Sequence, residues 1–301
     1  MKAGLAGAVV VLAVVGVLIA ATQFDGQAKP VGRTRTAAVT PAPPTATTPG
    51  APLPAMPPAD PGQLATALNH AQAIVDSPAS PSTELSRAGW FEQLATGVLE
   101  RARPASRGAT LAQLDPQAGA TVRADLAAAG ALDRLTTPRK SLPPWKIIQP
   151  PPPATLLAYF RAAQARFGVG WEYLAAIEFI ETKFGRVAGL SVAGAEGPMQ
   201  FLPATWARYG RGDVHDPHDA IFGAARYLVA SGARNDIAGA LYHYNPSADY
   251  VSAVTDYAQR MRGDVRAYVG YYYWQVLYAK SGRLLLLPVG FPRVRPVPIP
   301  R

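Results

Sequence analysis

The sequence contains no cysteine. Disulfide frameworks, thiolate metal sites and cysteine nucleophiles are therefore excluded, although a cysteine-free chain suits any compartment. Charge is sparse: only 16% of the 301 residues are charged. The acidic side is the poorer, with 20 Asp and Glu against 29 Lys and Arg, a formal net charge of +9. That balance favours an anionic partner. No basic run is interleaved with aromatics, so nucleic acid is not the expected partner. Histidine is limited to His70, His215, His218 and His243. The stretch Asp213–Asp219 holds His215 and His218, but its spacing alone is weak and Pro217 suits a turn. With no matching cluster elsewhere, no metal and no cofactor are expected.

What is present divides the chain into blocks. Residues 4–21 carry no charge and follow Lys2. Their length fits a membrane-spanning helix or a long signal-peptide core, and an uncleaved anchor is favoured over cleavage near Gly26-Gln27-Ala28. Residues 1–28 are thus the expected signal anchor or signal peptide, with the rest exported. Residues 29–62 are rich in Pro, Thr and Ala and cannot build a core. They read as an extended linker reaching roughly 100 Å at about 3 Å per residue.

Residues 63–150 have helical apolar spacing, with Leu64, Leu68, Ala71 and Ile74 or Val75 on one face, then Leu85, Trp90, Leu94 and Leu99 on another. Ser82 and Thr83 are plausible N-caps of the second helix. One or two shorter helices follow, and no catalytic constellation appears, so this block reads as a helical accessory region. The stretch from Thr137 to Pro153 marks a boundary, with Ser141–Trp145 extended.

Residues 151–262 hold the chemistry. Helices are expected over about 154–167, 171–184 (closed by Gly185), from Pro203, from Asp219 as a cap, over 236–244, and from Ala248 to Arg262. Residues 263–301 then read as an aromatic helix over 264–280, a short strand or extended segment at Gly282–Gly290, and a basic Pro-rich tail. Within 171–184, Glu181 falls on the wheel among Tyr173, Leu174, Ile177, Ile180 and Phe184. A carboxylate there is costly to ionise unless paired or lining a cleft. From these residues alone, a structural acid and a catalytic acid are equally good readings.

Linked motifs separate them. The run Glu181-Thr-Lys-Phe-Gly-Arg186, then Ser191-Val-Ala-Gly-Ala-Glu-Gly-Pro-Met-Gln-Phe-Leu-Pro203, then Tyr244-Asn245, resembles the soluble lytic transglycosylase domain. The first run and the GDVHDPHDAI turn resemble most the membrane-bound lytic transglycosylases of the B type. The resemblance covers roughly residues 155–262. It implies a mainly α, lysozyme-like helical domain with a glycan cleft, here preceded by the accessory region and the transmembrane or signal segment. It also implies cleavage of the β-1,4 bond between N-acetylmuramic acid and N-acetylglucosamine in peptidoglycan. The partners implied are peptidoglycan glycan strands and, through the N-terminal segment, the cytoplasmic membrane; the place is its outer face or the cell wall of a bacterium.

Glu181 occupies the family's catalytic position. Ser191, Met199, Gln200, Leu202, Tyr244 and Asn245 match positions that bind substrate or line the cleft. Leu202 stands where many members have Met, and Pro198 replaces the usual Leu or Tyr. The Asp-rich calcium loop of some B-type members is missing from this sequence.

Burial among apolar neighbours raises a carboxyl pKa and keeps it protonated near neutral pH. Such an acid can protonate the leaving oxygen and then, as carboxylate, accept the proton of the sugar's own 6-hydroxyl, giving a 1,6-anhydro product with one carboxylate. Hydrolysis calls for a second. The sequence offers Glu178, Glu196, Asp213 and Asp249. Glu178, one turn from Glu181, is the candidate modulator of its pKa, set against a plain solvent-facing or Arg-paired Glu. Two alternatives to the transglycosylase remain: a hydrolytic muramidase on the same fold and a non-catalytic peptidoglycan-binding scaffold.

Overall fold

A computed structural model describes residues 53–136 and 140–300. The uncharged run at 4–21 and the linker up to residue 52 lie outside the described residues, and so does the anchor expectation. Among the described residues no helix is long and apolar enough to cross a membrane.

The described chain is mainly helical. Its first four helices are α1 (Pro61–Asp76), α2 (Ser82–Arg101), α3 (Pro104–Leu111) and α4 (Pro116–Arg134). Their apolar stripes meet as expected: Leu64, Leu68, Ala71 and Val75 of α1 pack on Ala88, Phe91, Ala95 and Leu99 of α2. Two details differ. Phe91, not Trp90, fills the core side of α2, and Trp90 is half-buried. Pro81 holds the N-cap position with no side-chain cap bond, and Ser82 is already the first helical residue.

Next come α5 (Pro153–Phe167), α6 (Trp171–Thr182), α7 (Pro203–Tyr209), α8 (Pro217–Ala230), α9 (Ile237–Tyr244), α10 (Ala248–Gly263) and α11 (Val265–Tyr272). Pro at the first turn starts α5, α7 and α8, where its missing N–H costs nothing. The α8 cap is Asp216, whose carboxylate accepts from Asp219 N at 3.0 Å, rather than Asp219 itself. Asp219 turns outward instead and accepts from Asp213 N at 3.1 Å.

Every residue of α6 from Glu172 to Thr182 is buried. A helix covered on all sides is a core helix; α6 packs on α5, α8, α10 and α11, in one continuous apolar cluster that also takes in residues of α4 and α9. Ala128 and Leu132 of α4 belong to that same cluster, so α4 packs directly on the block that carries the motifs.

The expected aromatic helix over 264–280 is only half right. It stops at Tyr272, and the chain turns into β3 (Val276–Lys280), which pairs antiparallel with β4 (Arg283–Leu287) and through it with β5 (Val297–Pro298). The Leu run at 284–287 offers β3 a partner, and cross-strand pairing overrides the helical appearance of the Tyr-rich stretch. A second, two-stranded sheet joins β1 (Lys146–Ile147) to β2 (Val187–Ala188). Trp145, Ile147 and Val187 pack against Val276, Tyr278 and Leu287, so the C-terminal hairpin supports the strand that follows α6.

Candidate active site

Glu181 lies one residue from the C-terminus of α6 and has no solvent exposure. The helix ends earlier than Gly185. Lys183 (φ 53°), Phe184 (φ 61°) and Gly185 (φ 81°) form three successive left-handed residues. The two non-glycine members cost about 1 kcal/mol or more each. Local bonds hold them there. Lys183 N donates to Phe179 O at 3.1 Å and Phe184 N to Glu178 O at 3.2 Å. Gly185 N donates to the Thr182 hydroxyl at 2.9 Å, which itself donates to Pro198 O at 2.6 Å. Arg186 then donates to Tyr272 O at 2.8 Å.

The Gly-rich stretch after β2 is a compact double turn. Ser191 Oγ accepts from Ala193 N at 3.2 Å and from Ala195 N at 2.9 Å. Glu196 and Phe201 exchange two backbone bonds around the tip Gly197–Gln200. Gly197 is at φ 75°, and a Cβ on it would overlap Val214 O. Gln200 sits at φ 50° and donates to Gly197 O at 2.9 Å. Leu190 and Val192 point outward from this loop and are exposed.

Two tyrosines close over Glu181. Tyr250, in the first turn of α10, donates its hydroxyl to Glu181 Oε1 at 2.8 Å. Tyr244, at the end of α9, donates to Met199 O at 2.5 Å, and its ring stacks parallel to Tyr250 with centroids 6.4 Å apart. Glu181 Oε2 is buried with no hydrogen-bond partner. Burial pushes the Glu181 carboxyl up to about 8, and the Tyr250 bond opposes part of that rise.

Glu178 is neither solvent-facing nor Arg-paired. It is fully buried, both its oxygens lack partners, and burial alone pushes it up to about 8. Burial also sets the Glu181 shift, so mutual repulsion between the two acids is not its cause. Burial brings Lys183 down to about 7, with its amine over the Phe179 ring at 3.7 Å.

The structure therefore unites Glu181, Met199 and Tyr244 through Tyr250, and uses Ser191 and Gln200 to shape the loop. Asn245 is buried with its amide nitrogen unpartnered. Leu202 is half-buried and holds the N-cap position of α7 without a side-chain cap bond. The other candidate carboxylates are engaged elsewhere: Asp249 with Arg134 at 2.6 Å, Glu196 with His215 at 3.4 Å, and Asp213 with His215 N at 2.8 Å. Asp216, His218 and Asp219 lie close enough to share an ion. Their carboxylates already cap α8 and hold the 213–219 turn, with His218 Nδ1 at 3.0 Å from Asp219 Oδ1.

Sequence reasoning missed Tyr250, Thr182 and Lys183. Tyr250 shares a helical stripe with Val254 and Tyr257 and is indistinguishable there from a core tyrosine. Its one signal is its place five residues after Asn245.

Part of this chain is similar to a lytic transglycosylase. A stretch of 74 residues is 36% identical to membrane-bound lytic murein transglycosylase F of Thiobacillus denitrificans. The match takes in 25% of this chain and 16% of the relative's length. No family model matches the chain, and no solved structure matches it. The relative carries the F-type name, whereas the motifs resemble the B type.

Proposed function

We propose that the chain is a peptidoglycan lytic transglycosylase with Glu181 as its acid and then its base. The observation that carries this reading is the setting of the Glu181 carboxyl: fully buried, held at Oε1 by Tyr250 and unpartnered at Oε2, with burial raising its pKa. The protonated carboxyl gives its proton to the glycosidic oxygen as the bond from C1 of N-acetylmuramic acid breaks. The resulting carboxylate takes the proton of the same sugar's 6-hydroxyl, and O6 closes on C1. No water enters, and the leaving N-acetylglucosamine 4-hydroxyl keeps the first proton. Tyr250 favours the carboxylate after the first transfer, because its hydroxyl donates to the charged form.

Ser191, Met199, Gln200, Leu202, Tyr244 and Asn245 form the wall that orients the glycan in this reading. Glu181 is covered as it stands, so substrate entry requires the 189–200 loop or the Tyr244–Tyr250 pair to move. The N-terminal apolar run and the name of the relative support action outside the cytoplasmic membrane, on the cell wall.

Mass spectrometry of muropeptides from wall digested with the protein tests the reading. Products ending in 1,6-anhydro-muramic acid are expected, and Glu181→Gln should abolish them while wall binding persists. Reducing ends would assign the hydrolytic alternative, and undiminished cleavage by the Gln variant would remove Glu181 from the mechanism.

A further inference from the structure

From Val265 to the end, the chain has Arg266, Lys280, Arg283, Arg293, Arg295 and Arg301 and no acidic residue. Four of these cations flank the two ends of β4. Lys280 and Arg283 face each other across the β3–β4 turn. Arg293 and Arg295 stand on the segment between β4 and β5, at the other end of β4. Arg283, Arg293 and Arg295 are exposed. None of the four is in an ion pair among the described residues.

Apolar side chains lie between the cations. Val289, Val294 and Val297 are 44%, 47% and 48% exposed. Val297 is the cross-strand partner of Leu286 and shares its face of the sheet. Leu286 lines a groove of about 310 Å³ with Arg87, Trp90, Pro288 and Val289. The 288–296 segment is fixed beneath: Phe291 is buried, Ile147 N donates to Phe291 O at 3.1 Å, and Gly290 N donates to Ile147 O at 2.8 Å. Its backbone is anchored, and it presents Arg293, Val294 and Arg295 outward.

We propose that this edge, the 288–296 segment with β5 and the Trp90 groove, docks on the surface of an anionic phospholipid bilayer. A soluble polyanion would use the arginines and leave the valines in water. A bilayer interface takes both: phosphate head groups meet the cations, and the valines and the Trp90 ring reach the apolar boundary. Near the start of the described residues, Met56 lines a small cavity with Leu277, Leu284 and Ile299 at the Arg283 end of β4.

Because the chain has no cysteine, Val294→Cys gives a single labelling site. The full chain, labelled there with an environment-sensitive fluorophore, is mixed with vesicles of phosphatidylglycerol and phosphatidylcholine or of phosphatidylcholine alone. The expected result is a blue shift, with several-fold stronger quenching by a lipid-borne quencher, in the anionic vesicles only. High salt should reverse it. A label at exposed Ser106→Cys should not respond. Changing Lys280, Arg283, Arg293 and Arg295 together to Ser should abolish the response, while insertion of the N-terminal run still carries the chain to vesicles. An equal response in both vesicle types would overturn the proposal. So would a response to soluble polyphosphate with none to vesicles. If the fourfold variant fails to fold, the wild-type comparison between lipids and salts decides alone.

Discussion

The Thr182 hydroxyl binds the end of α6 to the Gly-rich loop, donating to Pro198 O at 2.6 Å while accepting from Gly185 N at 2.9 Å. One buried oxygen thus sets both the left-handed turn behind Glu181 and the height of the loop over it. Thr182→Val keeps the shape and removes both bonds. A buried carbonyl and a buried N–H lose a partner, at a cost of about 1–3 kcal/mol. We expect a lower denaturation midpoint and a larger proportional loss of wall-digesting activity, because the loop shifts relative to Glu181. Thr182→Ser restores the oxygen and should recover most of both. A Val variant with full activity and reduced stability would confine Thr182 to a structural role.

Tyr250→Phe tests the partner of Glu181. The hydroxyl stabilises the carboxylate, so its loss moves the Glu181 pKa further above its present value of about 8. As the acid must be protonated to act, the alkaline limb of the activity profile should move to higher pH. The rate on the plateau should fall by about 10²-fold, the scale of a lost catalytic positioning and proton-transfer contribution. The measurement is turnover of purified wall against pH for wild type and variant. A lowered plateau with an unmoved alkaline limb would separate Tyr250 from the titration of Glu181.

The helices were legible because each buries a stripe set by neighbours in sequence. The stripe of α1 needs no knowledge of distant residues. What was not legible depends on distance along the chain. The β3–β4 hairpin is fixed by its packing on Trp145 and Ile147, more than a hundred positions earlier. Tyr250 reaches Glu181 across 69 residues. At Lys183 the local pattern was misleading: it reads as helix interior, and the left-handed turn there depends on Thr182 and Pro198 meeting in space.

Gly197→Ala probes the loop. The position needs φ 75°, and a Cβ would overlap the Val214 carbonyl. Both the backbone conformation and the contact oppose a side chain, so we expect destabilisation of about 2–4 kcal/mol. Wall digestion should fall even at temperatures where the variant is folded, since Met199 and Gln200 lie on the same tip. Thermal melts followed by activity at a temperature well below the midpoint check both parts. Gly194→Ala is a comparison, since nothing lies within 4 Å of a Cβ there although φ is 80°; it should cost less.

Stability should fall as pH rises from about 5 to 8. Glu92 and Asp125 are buried between α2, α4 and α11, with the Tyr271 hydroxyl on Asp125 Oδ1 and Arg260 nearby. Burial pushes Glu92 up to about 8 and Asp125 to about 7, and Glu178 and Glu181 also reach about 8. A carboxyl raised on folding holds its proton in the folded state at a pH where the unfolded chain has released it. Its contribution is therefore fully present below the unfolded value and is lost as pH climbs through the folded value. Lys183 has the opposite sign, since burial lowers it to about 7 and the unfolded chain then binds the extra proton. Above pH 7 that one amine opposes the loss, but Glu92, Glu178 and Glu181 outnumber it. Glu92→Gln removes one titrating group. Relative to wild type, its unfolding free energy should improve by at most about 1.4 kcal/mol per pH unit across this window. Urea unfolding at pH 5, 6, 7 and 8 (about one unit apart) measures the slope, and parallel curves for the two proteins would mean that folding does not raise the Glu92 pKa.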